Sequence, residues 1–177
     1  GTIFNQMNPA AAFIPNGAFL ISLDREKGNA AGYDIVAQRF DQSATKIGSE
    51  FRVNAVPHGP FGWGKGSSRI STNASNRLVI VWHDFHPQQP QDGSDHGVFS
   101  QVFDHEGNRI GSEIRVNEAT KGFQGEQSVS MLPSGEFFVV WSSAGNGEPK
   151  RVFGRLFAKE GHALSAELRL NEVTTGD

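Results

Sequence analysis

One phrase occurs three times along this chain of 177 residues. It reads QRFDQSATKIGSEFRVN from Gln38, QVFDHEGNRIGSEIRVN from Gln101, and RLFAKEGHALSAELRLN from Arg155, and the first two copies are identical at more than half of their positions. The copies end at Asn54, Asn117 and Asn171, so the first interval is longer than the second. Self-similarity of this kind indicates a repeated structural unit that buries its apolar faces against its neighbours. Each unit has room for about four strands, the size of one propeller blade.

The repeat predicts an all-β chain, because its apolar runs are short, alternate with turn residues and show no sustained helical period. We expect a β-propeller with three four-stranded blades, spanning residues 1–54, 55–117 and 118–177. Three blades are either half of a six-bladed ring or part of a longer array, since propellers typically have four to eight. Leu23, Trp82 and Trp141 occupy the same position inside the second strand of each copy, and the two tryptophans are predicted to lie in the core.

A Glu-x-Arg pair recurs in the last strand of each copy. Alternation places the pair on the polar face of a strand whose other face is apolar, which suits the outer rim of a blade. The pairs could form a periodic binding rim or a ladder of exposed ion pairs that discourages edge-to-edge aggregation, and the second interpretation is favoured. The pairs are Glu50/Arg52, Glu113/Arg115 and Glu167/Arg169.

Composition excludes several classes of function. The formal net charge is −3 and the sequence has no basic run, which argues against a nucleic-acid-binding protein. No apolar stretch approaches the roughly 18 residues that a membrane-spanning helix requires. The chain has no cysteine, so disulfides and thiolate metal sites are excluded.

The assembled repeat contains Gln-x-x-Pro (Gln6 to Pro9), Phe-x-Val-Val-Trp up to Trp141, a Gly/Asp loop, Gln-x-Phe-Asp from Gln101, and Ile-Gly-Ser-Glu-x-x-Val-Asn from Ile110. This pattern resembles the tandem propeller-type repeats, each of about 55 residues, of large bacterial surface and secreted proteins associated with haemolysin-type (RTX) segments. The resemblance implies a propeller fold and an extracellular or cell-surface location. It implies no particular chemistry, and the calcium-binding nonapeptide Gly-Gly-x-Gly-x-Asp is absent from the sequence.

Two enlarged connections in the second copy are the best candidates for function, because binding groups usually lie on loops of a rigid scaffold. Residues 83–96 contain nitrogen and oxygen ligands suited to zinc or to a harder cation such as calcium. The competing interpretation is an ordinary solvated loop. The candidate metal ligands are His83, Asp84, His86, Asp92, Asp95 and His96.

A glycan is the alternative ligand for these connections. Sugars bind to exposed aromatic rings flanked by amide and carboxylate groups, a mixture that both connections supply. The competing interpretation is that the aromatic rings only hold a glycine-rich loop in place. The candidate glycan-binding residues are His58, Phe61, Trp63, Gln88 and Asp92.

The sequence alone favours a non-catalytic propeller module of a bacterial surface or secreted protein, structural or adhesive, that binds a glycan or a protein. It predicts no catalytic residue and no required cofactor. The alternatives are a fragment of a glycan-active, glycosidase-like propeller enzyme and a purely structural repeat. Because three blades leave two open apolar faces, we also expect self-association as a dimer with six blades, or packing against further repeats of the same parent.

Overall fold

The structure is a computed structural model that describes residues 5–15, 17–26, 28, 32–57, 64–85, 91, 93, 96–145 and 147–172. These residues form three four-stranded antiparallel sheets, and no helix occurs among them. The prediction of an all-β chain with three four-stranded blades is therefore confirmed. The described part of the chain accordingly offers no helix of the length and apolarity that crossing a membrane requires.

In each sheet the strands pair in the order in which they follow along the chain. Sheet A contains β1 (Gln6–Phe13), β2 (Phe19–Glu26), β3 (Tyr33–Phe40) and β4 (Lys46–Arg52). Sheet B contains β5 (Lys65–Thr72), β6 (Arg77–Phe85), β7 (His96–Asp104) and β8 (Arg109–Arg115). Sheet C contains β9 (Phe123–Met131), β10 (Phe137–Ala144), β11 (Arg151–Phe157) and β12 (Leu168–Arg169).

The first strand of each following sheet packs across the face of the sheet before it. Strand β5 contacts β1 and also packs against β2 and β3, while β9 contacts β5 and packs against β6 and β7. Successive sheets therefore pack face to face, with their first strands on the inside, which is the arrangement of propeller blades around an axis.

Alternation along the strands of sheet B divides its side chains between two cores. Leu78, Ile80 and Trp82 face sheet A, whereas Val79 and Val81 face sheet C, and all five are essentially inaccessible to solvent. Trp141 packs in the core between sheets B and C, so both tryptophans lie in the core as predicted.

The asparagine that ends each copy joins the fourth strand to the third. The Oδ1 atoms of Asn54, Asn117 and Asn171 accept the backbone N–H groups of residues 35, 98 and 152, at N–O distances of 2.8, 2.7 and 2.7 Å. Asn54 and Asn117 are fully buried, where an unpaired N–H would be costly. The repeated asparagine is therefore part of the scaffold.

Residues of the Glu-x-Arg pairs also form hydrogen bonds to backbone groups, which the predicted ladder of ion pairs did not include. The Nε atoms of the three arginines donate to the carbonyl oxygen of the asparagine two residues later, at 3.0, 2.9 and 2.8 Å. Glu113 accepts the N–H of Ala55, and Glu167 accepts the N–H of Glu118, each just after the preceding sheet. These glutamates thus join each sheet to the one before it.

Candidate functional site

The first strand of each sheet (β1, β5 and β9), called the inner strand, contains one non-glycine residue in the left-handed conformation, at a break in the strand register. These residues are Asn8, Ser67 and Glu126, with φ values of 51°, 53° and 55°. They recur at equal intervals along the chain. A non-glycine residue at positive φ is uncommon and costs about 1–3 kcal/mol, and such strain clusters at functional sites. Because the left-handed conformation recurs at equivalent positions, we expect functional residues near these points of the inner strands.

A second set of equivalent positions lies beside them on the second strands. Asp24, His83 and Ser142 recur at the same equal intervals, and in the sheet register they stand opposite Met7, Gly66 and Gly125, next to the left-handed residues. We call the six residues Asn8, Asp24, Ser67, His83, Glu126 and Ser142 the inner polar layer. The scaffold is the same in each sheet, but the side chains differ, so the layer combines unlike chemical groups.

All residues of the inner polar layer except Ser142 line two neighbouring cavities. One, of about 240 Å³, is bordered by Asn8, Asp24, Ser67 and His83, with the backbone of sheet B and Tyr33 completing its wall. The other, of about 260 Å³, is bordered by Ser67, His83 and Glu126 together with Arg69, Phe123 and Gln127. Ser67 and His83 border both cavities, with Asp24 at the first cavity and Glu126 at the second.

Asp24 is a buried carboxyl group, with only 2% of its surface exposed. Its Oδ2 accepts hydrogen bonds from Asn8 Nδ2 at 2.7 Å and from the backbone N–H of Ser67 at 3.0 Å. Its Oδ1 has no hydrogen-bond partner among the described residues. Burial raises the pKa of Asp24 above its ordinary value, and the two hydrogen bonds only partly offset that effect. Asp24 is therefore suited to hold a proton and to donate it.

Glu126 has the opposite environment. Its side chain is half exposed, forms an ion pair with Lys150 and is hydrogen-bonded to Ser142. The hydrogen bond from Lys150, followed by that from Ser142, lowers the pKa of Glu126. A pair of carboxyl groups whose environments shift their pKa values in opposite directions is the usual basis for dividing acid and base roles.

His83 is a largely buried imidazole that borders both cavities. Burial lowers the pKa of His83, and the nearby His96, whose ring centroid lies 6.5 Å away, lowers it further. Its Nδ1 has no hydrogen-bond partner among the described residues. His96 stacks on Phe85, with centroids 4.2 Å apart, and lies 5.1 Å from the ring of Phe123. A neutral imidazole next to an aromatic cluster can donate a hydrogen bond to a polar ligand or accept one from it.

The structure brings together only part of the predicted metal set. His83 and His96 are neighbours, but Asp84 pairs with Lys65 at 3.0 Å, and both of these side chains are buried. No group of three His, Asp or Glu side chains that could hold a metal occurs in the described part of the chain. His86, Asp92 and Asp95 lie outside the described residues. The metal site therefore stays a prediction.

The predicted glycan-binding residues His58, Phe61, Trp63, Gln88 and Asp92 all lie outside the described residues, so that site also stays a prediction. The strand ends that border these connections are described. Lys65 begins β5, Phe85 ends β6 and His96 begins β7, and the register places these three strand ends together at one end of sheet B. Ser67 and His83 lie near the same end of the sheet.

The sequence pattern did not indicate Asn8, Asp24, Ser67, Glu126 or Ser142 as site residues. The signal that could have found them is the spacing of the first two strands, which recur at equal intervals, whereas the closing phrases recur at unequal ones. The intervals differ mainly because the connection between the second and third strands is longer in the second copy than in the other two. Alignment on the second strand places Asp24, His83 and Ser142 directly after Leu23, Trp82 and Trp141.

No protein-family model matches this sequence, and the search of curated proteins found no similar sequence. Solved structures share the fold. The chain is similar to an α-L-arabinanase of Penicillium chrysogenum in complex with arabinobiose, with 18% identity and a TM-score of 0.66 over 92% of this chain and 50% of that one. It is also similar to a GH93 α-L-arabinofuranosidase of Fusarium graminearum, with 15% identity and a TM-score of 0.64 over the same shares of the two chains.

A third similar structure is a Hadza microbial sialidase, with 9% identity and a TM-score of 0.61 over 89% of this chain and 37% of that one. At these identities the likeness establishes the fold alone. The chain spans about half the length of the two arabinan-active enzymes and less of the sialidase.

The comparison corrects the functional expectation. The structures that share this fold are described as glycan-active enzymes, which contradicts the prediction of a non-catalytic adhesive module and, with it, the prediction that the chain is not an enzyme. The alternative of a fragment of a glycan-active propeller enzyme agrees better with these structures. The resemblance to repeats of bacterial surface proteins stays a prediction.

Proposed function

We propose that this chain is part of a glycan-active propeller enzyme that hydrolyses glycosidic bonds, and that the inner polar layer belongs to its active site. The observation that carries the proposal is the position of Asp24, a buried carboxyl group with a raised pKa at the wall of a cavity. The ionised Glu126 borders the adjoining cavity. The similar glycan-active structures support the proposal through their fold.

The proposed chemistry assigns one role to each carboxyl group. Glycoside hydrolysis requires an acid that protonates the leaving oxygen and an ionised carboxylate on the other side of the scissile bond. Asp24 supplies the proton, because burial keeps it protonated to a higher pH than an exposed aspartate. Glu126 supplies the carboxylate, either as the nucleophile or as the base that activates a water molecule.

Neighbouring residues provide the contacts for a sugar. His83 borders both cavities, and its Nδ1, which has no hydrogen-bond partner among the described residues, can bond to a sugar hydroxyl. The ring of Phe123 borders the second cavity and offers an apolar surface for the face of a sugar ring. Arabinose-containing glycans are the first substrates to test, because two of the similar structures hold arabinobiose. An enzyme acting on such polymers fits the extracellular or cell-surface location that we propose.

The test is an assay of the purified chain against arabinan, other plant and bacterial polysaccharides, and a panel of aryl glycosides, measured by release of reducing sugar or aryl alcohol. We expect Asp24→Asn and Glu126→Gln each to lower the rate by about 10²-fold or more, the usual size of a general acid–base contribution. Asp24→Asn should lose less on aryl glycosides with good leaving groups, because those need little protonation.

Two control variants separate chemistry from folding. Asp34→Asn changes another fully buried aspartate of sheet A, one whose Oδ1 accepts a hydrogen bond from Asn54, and Glu160→Gln changes an exposed glutamate in a turn. Both are expected to retain activity as long as circular dichroism shows a folded chain. Unchanged activity in Asp24→Asn, or a folded wild-type chain that cleaves none of the substrates, would contradict the proposal.

A further inference from the structure

In the described part of the chain, sheet A has one face that no other sheet covers, although the equivalent faces of sheets B and C are buried. Phe40 is half-buried and lines an open cavity of about 280 Å³, whereas the equivalent Phe103 and Phe157 are 0% and 1% exposed. Leu23 lines the same cavity, whereas Trp82 and Trp141 at its position are buried. In sheets B and C these side chains pack against the preceding sheet, so the open face of sheet A has the form of a blade face without its neighbour.

Sheet C has the complementary open face. Val53 and Val116, at equivalent positions of sheets A and B, are fully buried against the following sheet, but Leu170 at that position is 48% exposed. The same comparison holds one strand away, where Ile35 and Val98 are fully buried and Val152 is 38% exposed. Three more leucines on this face are exposed, although the residues at their positions in the first two copies are at least half-buried. Leu132, Leu164 and Leu168 are 54%, 50% and 48% exposed. Apolar patches of this kind mark interaction surfaces.

We propose that the open face of sheet A binds the open face of sheet C of a second copy of this chain, so that two copies close a ring of six blades. The open face of sheet A and the open face of sheet C are related in the same way as the facing surfaces of neighbouring blades. Two copies placed about a twofold axis therefore form two identical interfaces, each between sheet A of one copy and sheet C of the other. Three sheets correspond to half of each arabinan-active chain, so two copies supply the full length. This inference holds independently of the proposed hydrolysis.

The internal interfaces indicate which residues meet. Phe51 of β4 contacts Phe103 of the following sheet, with ring centroids 5.6 Å apart, and Ile114 of β8 packs in the equivalent cluster around Phe157. The position of Phe51 and Ile114 is occupied in β12 by Leu168. By the same rule, Leu168 of one copy packs against Phe40 of the other copy.

A polar contact repeats in the same way. Glu113 and Glu167 accept the N–H of the residue that follows the repeated asparagine of the preceding sheet. The equivalent glutamate of sheet A is Glu50, and the equivalent N–H belongs to Glu172. Within one chain Glu50 pairs with Arg25, and in the ring it stands in position to accept the N–H of Glu172 of the second copy.

Light scattering after size-exclusion chromatography tests the proposal directly. The wild-type chain should have twice its mass of 19.2 kDa. Leu170→Glu should give a folded monomer, because the leucine is already exposed in the single chain and the charge would be buried in the ring. Val56→Glu, at a similarly exposed valine between sheets A and B, is the matched control and should remain a dimer. A wild-type monomer, or an open-ended series of larger species, would overturn the ring.

A cross-link identifies the two faces even if the glutamate variant fails to fold. Because the chain has no cysteine, Phe40→Cys and Leu168→Cys can be made separately and mixed, and a short bismaleimide added. Only the mixture should give a covalent dimer, because each single variant places one cysteine at each interface. A covalent dimer from either variant alone, or none from the mixture, would contradict the proposed pairing of faces.

Discussion

Asn8 donates its side-chain amide to Oδ2 of Asp24 at 2.7 Å, across the point where β1 breaks its register with β2. The left-handed backbone of Asn8 puts its side chain beside the second strand, and the same geometry brings Glu126 to Ser142 in sheet C. One backbone arrangement thus presents a carboxyl group of raised pKa in one sheet and a carboxylate of lowered pKa in another. The scaffold repeats, while the chemistry varies with the side chain.

Asp24→Asn is expected to stabilise the fold at neutral pH while it lowers activity. The pKa of Asp24 is raised in the folded state, so the folded chain binds more protons than the unfolded chain, and stability falls as the pH rises through and above 3.8. Asparagine removes the buried charge and can still accept hydrogen bonds from Asn8 and Ser67 through its Oδ1. A gain in stability together with a loss of function is the usual sign of an active-site residue.

The measurement is the melting temperature of both proteins between acid and neutral pH. Asp24→Asn should melt higher at neutral pH, and the difference should shrink as the pH falls toward 3.8, where Asp24 of the wild type is protonated. If Asp24→Asn melted at a lower temperature than the wild type at every pH, the fold would stabilise the ionised carboxylate of Asp24. Asp24 would then not be suited to act as the general acid.

The fold was largely predictable from the sequence, whereas the site was not. The positions of Phe103, Phe157, Trp82 and Trp141 follow from local alternation repeated three times, and alternation determines which face of a strand is buried. The pKa of Asp24 is raised by burial and partly lowered by a long-range hydrogen bond from the backbone of Ser67 in another sheet, and no local pattern encodes either effect. The residues of the predicted loop sites lie largely outside the described part of the chain, which leaves those predictions untested.

Lys150→Met is expected to raise the pKa of Glu126. The Lys150 ammonium makes the largest contribution to lowering that pKa, and its removal leaves only the hydrogen bond from Ser142. Carbon-13 NMR of the glutamate carboxyl groups follows this titration without any substrate. Lys121→Met, at an exposed lysine whose backbone oxygen holds Gln124, is the control and should leave the midpoint of Glu126 unchanged. Equal midpoints in both variants would contradict the role of Lys150.

His83→Gln is expected to reduce the loss of stability that mild acidification causes. The pKa of His83 is lowered in the folded state, so the unfolded chain binds more protons, and stability falls as the pH drops through 6.5 toward the folded pKa. Glutamine does not titrate, so the variant should lose less melting temperature than the wild type between pH values of about 8 and 5. A curve for His83→Gln as steep as that of the wild type, or steeper, would contradict the assignment.

Asn117→Ala and Asn171→Ala remove the same hydrogen bond from two different surroundings. Asn117 is buried and its loss leaves the N–H of Val98 unpaired, which should cost about 1–3 kcal/mol in the free energy of unfolding. Asn171 is only half-buried in the single chain, where water can replace it at the N–H of Val152, so its removal should cost less.

Urea unfolding of both variants in the monomeric Leu170→Glu background should show this difference. In the wild-type background, a second copy would cover Asn171, so its substitution should approach the cost of Asn117→Ala and should also weaken the dimer at low protein concentration. Equal costs in the monomeric background would show that exposure of Asn171 does not reduce its contribution. A persistent difference in the dimer would mean that the face of sheet C remains open to water.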